Sequence, residues 1–296
     1  MSYSAPRAPA ETTLGYDLYG PDRPIAPVII SVPHAGRAYD HALLASAREP
    51  DVLRRLEDRW ADLLAYPLIE RGYSVLVARA PRAMIDLNRH EREVDPAMVA
   101  AMPRDVPLQG SAKLRGGLGL IPRRLPGAHE LWHRPVSWEE VRRRIDLIHR
   151  PYHARLSSLM RAAREAHGHA LLIDLHSMPP LSPPAPGRDA PRLVLGDRFG
   201  RSSSARLMTL AADVLAGHGF DAAQNHPYAG DHMVERHGRP PEDLYAMQVE
   251  VDRSLYLDAA LDRPGPGLTR MQAVITALME ALASEPPRAV YPLAAE

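Results

Sequence analysis

Apolar and polar positions alternate between two periods along this chain. Short runs rich in β-branched and aliphatic residues occupy Pro27–Pro33, Tyr73–Arg79, Ala170–Leu175, Leu193–Leu195, Phe220–Gln224 and Met247–Val251. Several are almost wholly apolar, the pattern of strands buried on both faces. Between them lie helical patterns at 40–47, 58–71, 138–168, 202–218 and 268–284. The third is the clearest: Val141, Ile145, Ile148, Tyr152, Leu156 and Leu159 recur at helical spacing. Strands alternating with helices predict an α/β fold, a mixed and mostly parallel sheet between helix layers. No repeat and no convincing linker divides the chain, so one domain over residues 1–296 is expected, with its core at about 25–285. Residues 97–130, rich in Gly and Pro, read as a long excursion able to cover a site.

Composition narrows the function. The 36 basic residues balance 36 acidic ones, so no long-range field favours nucleic acid or an anionic membrane. Lys113 is the only lysine; the rest of the basic residues are arginine. With no cysteine, disulfides, thiolate zinc sites and a cysteine nucleophile are excluded, and any metal must be held by His, Asp or Glu. The stretch "MSYSAPRAPAETTLGYD" lacks a signal pattern and no apolar run reaches membrane-spanning length, so a cytoplasmic protein is expected. The 30 prolines fall mostly in loops, as in "MPPLSPPAPGRDAPR" at 178–192.

The chemistry-bearing residues gather at strand ends. "SVPHAG" places His34 behind the first strand, and "LLIDLHSM" places His176 at the end of another with Asp174 two residues back. Two histidines on separate strand ends suit a catalytic metal with three protein ligands and one open position. Glu57, Asp58 and Asp62 in "LEDRWADLL" are the carboxylates available as third ligand. "MQVEVDR" sets Glu250 inside a strand-like run, where a carboxylate is costly without a partner or a function. His149 and His153 in "HRPYHARL" stand four apart on a helix, also a metal-compatible spacing, but without the glutamate of HExxH.

"SVPHAG", "IDLNR", "IDLHSM", "LGDRFG", "NHPYAGDHMVERHGRP" and "MQVEVDRSLYLD" follow one another in order, with "GLGLIPR" and "PYH" between them. Together they resemble the N-formylglutamate amidohydrolase family over about residues 25–260. That family is similar in fold to zinc carboxypeptidases. The resemblance implies hydrolysis of N-formyl-L-glutamate to formate and L-glutamate, with one Zn2+ or another divalent metal per chain, in bacterial histidine breakdown. It implies His34 and His176 as metal ligands. Arg37 stands where the carboxypeptidase pattern would put a second ligand, so Asp58, at the expected opening of the helix 58–71, is taken as the third. A helix running through from Leu53 would favour Glu57 instead.

The same resemblance matches Glu250 to the general base, and Asn88 with Arg89 to a pair that grips a substrate carboxylate. A planar guanidinium suits that task. Arg37 and Arg82 are candidates for the second carboxylate or the oxyanion, Asn225 and Tyr228 for further substrate contacts, and Asp174 for orienting a ligand histidine. The expected partner is a small dianionic N-acyl amino acid. Alternatives are the same chemistry on another acyl group (aspartoacylase-, succinyl-amino-acid- or carboxypeptidase-like) or a ligand-binding descendant without catalysis.

Overall fold

The computed structural model describes residues 7–125, 129–183, 187 and 189–286. The Pro-rich stretch 178–192 and the chain termini therefore lie partly outside the described residues. Eight strands form one sheet: β1 (Glu11–Thr12), β2 (Tyr16–Tyr19), β3 (Val28–Val32), β4 (Ser74–Ala78), β7 (Ala170–Met178), β8 (Leu193–Gly196), β9 (Ala223–Gln224) and β10 (Leu244–Asp252). A separate two-stranded ladder joins β5 (Val99–Ala100) to β6 (Val136–Ser137). The order across the sheet is β1-β2-β4-β3-β7-β10-β8-β9. The central four, β4, β3, β7 and β10, run parallel. β2 and β8 flank them antiparallel.

Alternation along the central strands sends side chains to two cores. Ile29, Leu172 and Ala246 pack on the face covered by the helix Arg150–His167, through Tyr152, Leu156 and Leu159. Val28, Ile30, Val32, Ile173 and Val249 pack on the other, against the helices Ala205–Gly217 and Leu268–Ala283. Helices thus lie on both faces of a mixed sheet, as the pattern of apolar runs predicts. Val99, Leu120 and Ile121 of the excursion 97–130 are buried in the same core as Ile29 and Tyr152, which lays that segment over the first face.

Two helices differ from expectation for identifiable reasons. The span 138–168 is α-helical at Trp138–Arg144 and Arg150–His167, with a π turn over Ile145–His149 between them. Pro151 has no N–H for the Leu147 carbonyl, so the register loosens there, and Arg150 N donates to Ile145 O instead. The span 58–71 does not form one helix. Glu57–Trp60 is irregular, Trp60 has φ +57°, and a 3-10 turn Ala61–Ala65 leads into a short helix Tyr66–Glu70 with Pro67 in its first turn. The short strands β1 and β2 and the helix His232–His237 carry too few residues to show a period.

Candidate active site and metal centre

The C-terminal ends of β3, β7 and β10 meet where parallel α/β sheets place their ligands. Pro33 ends β3, and the chain turns back so closely that a side chain at Gly36 would strike Ala80 O at 2.0 Å. That turn leaves His34 at the sheet mouth, 2% exposed. His176 projects from β7 and is 3% exposed; Asp58 enters from the irregular segment before Ala61 and is also 3% exposed. One ligand atom from each of His34, Asp58 and His176 lies within 4.8 Å of the others. Asp58 Oδ2 is 2.8 Å from His176 Nδ1 and 3.5 Å from His34 Nδ1. Glu57 is absent from this group: its carboxylate accepts from Tyr39 (2.6 Å) and Arg59 (2.7 Å). Asp62 is likewise engaged, by Arg37.

The outward nitrogens of both histidines are held by carboxylates. His34 Nε2 is 2.7 Å from Asp86 Oδ1, and His176 Nε2 is 2.8 Å from Asp174 Oδ2. Asn88 Nδ2 reaches both Asp174 Oδ2 and His176 Nε2 at 3.1 Å. Such partners fix ring orientation and raise the basicity of the inward nitrogen. His34 Nδ1 is buried and has no hydrogen-bond partner. An orphaned lone pair facing a carboxylate and a second imidazole is what a divalent metal needs. The residues present therefore fit one. Arg253, directly behind β10, donates to Asp58 Oδ1 at 3.1 Å and to Glu57 O at 2.6 Å, holding Asp58 with Oδ2 toward the histidines.

Electrostatics agree with a site built for charge. Burial opposes ionisation of Asp58, but its hydrogen bond with His176 and the nearby His34 ring hold its carboxyl well below the usual range. Burial likewise opposes ionisation of Asp86, which Arg82, His34 and Arg89 hold well down. Burial disfavours the charged His176, yet Asp174 and Asp58 raise it well above the ordinary histidine value. Glu250 differs. Burial lifts its carboxyl to about 7, aided by Asp58 and Asp174 and opposed by His176 and Arg82. Gln248 Nε2 donates to its Oε1 at 2.8 Å. A carboxyl poised near neutrality beside a metal-type cluster can accept and return a proton.

The remaining candidates divide. Arg82 donates through Nε to Asp86 Oδ2 at 2.8 Å and stays partly exposed. Tyr228 lines the same opening: burial raises its pKa, and its phenol feels Glu250, Arg253, Asp58 and Arg82. Lys113, from the covering excursion, stands 5.7 Å over the Tyr228 ring. Three expected substrate contacts have their polar groups engaged within the protein. Arg37 forms a two-pronged pair with Asp62 at 2.9 and 2.8 Å and stacks on Trp60 at 4.3 Å, so its fork is occupied. Asn225, at φ +58°, accepts from Asp197 N and Phe199 N and donates to Asp197 Oδ1, which makes it a turn residue. Asn88 is buried behind His176, with Oδ1 taken by Met233 N at 2.7 Å.

Arg89 is 2% exposed. Its Nε donates to Leu118 O (3.0 Å) and its Nη1 to Asn88 O (2.6 Å), and Asp231 pairs with Nη1 at 3.1 Å. An incoming carboxylate must compete with Asp231 for that fork. Sequence reasoning assigned no role to Asp86, Gln248 or Arg253. Asp86 sits in the same "IDLNR" as Arg89, and Arg253 closes the strand that carries Glu250, so position at a strand end was the available signal.

Comparison with known proteins points one way. The sequence profile of a family described as N-formylglutamate amidohydrolase matches residues 26–257. N-formylglutamate deformylase of Pseudomonas putida is 31% identical over 243 residues, covering 78% of this chain and 82% of that protein. The N-formylglutamate deformylase of Pseudomonas aeruginosa is 29% identical over 237 residues at the same coverage. The crystal structure of N-formylglutamate amidohydrolase from Ralstonia eutropha JMP134 superposes with a TM-score of 0.83 at 31% identity, covering 91% of this chain and 97% of that one.

Proposed function

The chain belongs to the N-formylglutamate amidohydrolase family, and from that premise we propose that it hydrolyses N-formyl-L-glutamate to formate and L-glutamate with a zinc ion held by His34, Asp58 and His176. The observation that carries this is the facing set of inward nitrogens and one carboxylate oxygen, each histidine braced from behind by its own aspartate. A metal bound there supplies a Lewis acid for the formyl carbonyl and acidifies a water molecule to a pKa of about 7. The donor set of two imidazoles and a carboxylate suits zinc.

The protein's own groups do the rest. Glu250 takes the proton from the attacking water and returns it to the amide nitrogen as the C–N bond breaks, the task of a buried carboxyl at the same sheet mouth as the metal-type cluster. Arg82 meets a substrate carboxylate or the developing oxyanion from the mouth, while Asp86 fixes its Nε. Lys113 and Tyr228 line the same opening and add a cation and a hydroxyl for a dianionic substrate. Arg89 takes a carboxylate only by displacing Asp231. One domain spanning about 25–285 and a cytoplasmic setting complete this reading.

The test is a panel of N-formyl-, N-acetyl- and N-succinyl-glutamate and N-formyl- and N-acetyl-aspartate, scored for acid and amine release with and without chelator. Formate release from formylglutamate, lost on chelation and restored by Zn2+, is expected. Faster turnover of a longer acyl substrate would reassign the specificity, and chelator-resistant activity would remove the metal.

A further inference from the structure

The segment 86–89 has two sides. Its side chains at Asp86 and Asn88 brace His34 and His176. Its carbonyls at Leu87 and Arg89 face the other way and brace two more histidines. His153 Nε2 is 3.0 Å from Leu87 O, and His149 Nε2 is 2.8 Å from Arg89 O. A carbonyl accepts, so both rings carry their proton on Nε2 and present Nδ1 as a lone pair. His149 Nδ1 is buried without a partner, and so are both ring nitrogens of His232. His153 Nδ1 meets His237 Nε2 at 3.0 Å. One ligand atom from each of His149, His153 and His232 lies within 4.8 Å of the others.

Core packing does not account for this arrangement. Buried ring nitrogens in a folded protein nearly always find a partner, and each one left without pays its full desolvation cost. Here three such nitrogens lie on two rings, His149 and His232, that meet in one cluster. The rings are held neutral, which is the form that binds metal. Burial pushes His149 down to about 4 and His232 to about 2, with Arg236 adding to both and Glu91 and Asp86 opposing at His149. Burial with neighbouring histidines and Arg236 drives His153 well down too. Donation of the outer N–H to a backbone carbonyl is the usual second contact of a ligand histidine. The π turn over Ile145–His149 brings His149 beside His153, with ring centroids 4.5 Å apart.

We propose that His149, His153 and His232 form a second metal site, distinct from the one at His34, Asp58 and His176, for a divalent ion of imidazole preference, with zinc the first candidate and the fourth position open to water. Three imidazoles and one open position make a recognised zinc donor set. Tetrahedral ligands about 2.0–2.1 Å from an ion stand roughly 3.3 Å apart, so the cluster closes on binding. His232 does the moving, since its ring makes no hydrogen bond, and His153 Nδ1 exchanges its contact with His237 Nε2 for the ion. The ion ties the π turn and the helix His232–His237 to the back of the 86–89 segment. It thereby braces the residues that orient the active-site histidines. The proposal does not depend on the deformylase reading.

The experiment loads metal-stripped protein with Zn2+, desalts it and counts bound metal. Wild type is expected to retain two equivalents. His34→Gln/His176→Gln retains one, and so does His149→Gln/His232→Gln. Crystals of the wild type soaked in ZnCl2 and measured at the zinc edge supply a second readout that requires no variant to fold. An anomalous peak among His149, His153 and His232 is expected. A single equivalent that vanishes in the His34/His176 variant overturns the proposal. So does a second equivalent that survives in the His149/His232 variant, because that ion lies elsewhere, and so does a peak at the first site alone.

Discussion

Glu250 on β10 stands directly opposite His176 on β7, in register across two parallel strands. Both point to the face that carries Ile29 and Tyr152, so proton acceptor and metal-type ligand share one sheet mouth. The pairing makes Glu250→Gln diagnostic. Glutamine keeps the shape and the hydrogen-bonding reach but cannot accept the water proton. We expect kcat to fall by roughly 10²–10⁴-fold, the usual worth of positioned proton transfer. Metal content and melting temperature should stay near wild type. A glutamine variant with full turnover would remove the proposed base; one that melts early with normal turnover per folded molecule would make the residue structural.

The metal centre separates two adjacent carboxylates. Asp58→Asn should abolish binding at the His34–His176 centre, because Oδ2 is the oxygen shared by both rings. Glu57→Gln should leave it intact, since that carboxylate serves Tyr39 and Arg59. Asp86→Asn acts one step out. It should weaken metal affinity at this centre by about 10–100-fold, the usual cost of losing an outer partner. Competition with a chromophoric chelator reads all three variants, and an Asp58 variant of unchanged affinity would exclude that ligand.

The fold was legible because buried parallel strands write continuous apolar runs. Val28–Val32 and Ala170–Leu175 could hardly be anything else. His34, His176 and Glu250 stood out for the same reason, as polar residues interrupting or ending such runs. What the sequence concealed is how polar groups divide their partners. Arg37, Arg82 and Arg89 look alike as arginines near strand ends. Only the folded chain shows Arg37 paired with Asp62, Arg89 sealed behind Asp231 and Arg82 open at the mouth. His232 was invisible for another reason. It meets His149 and His153 through a helix about 80 residues away in the chain, and no local period links them.

Arg82 should therefore carry the substrate's charge. Arg82→Gln removes a partly exposed guanidinium while Asp86 keeps His34 as its partner. Loss of a hydrogen bond to a charged group costs about 1.5–3 kcal/mol, so kcat/KM on formylglutamate should fall by roughly 10–150-fold. Arg37→Gln should leave kcat/KM close to wild type and lower stability instead, because its partners are Asp62 and Trp60. Equal losses for the two variants would return Arg37 to the site.

Metal-stripped protein should lose stability in mild acid. His149, His153, His232 and His237 are all held neutral, mainly by burial, with His149 near 4 and His237 near 3. A histidine whose folded pKa lies below its unfolded value of about 6.5 binds its proton more readily in the unfolded chain. Above that pH these four groups cost nothing. As the pH falls from 6.5 toward 4, unfolding is favoured by up to about 1.4 kcal/mol per pH unit for each. His176, raised by Asp174 and Asp58, acts in another window: its stabilisation is complete below 6.5 and is lost as the pH rises above it. Glu250, lifted by burial to about 7, opposes the decline between about 7 and 4.5, but it is one group against four. Asp58 and Asp86 enter only below the ordinary carboxylate range, since both are held well down. Urea unfolding in the presence of chelator should give a free energy that peaks near pH 6.5–7, declines gently above it as His176 loses its advantage, and declines steeply below about 6.5. His232→Gln removes one of the four groups and should make that decline shallower. A curve that stays flat to pH 4.5 would mean that these rings open to solvent and take up protons without unfolding.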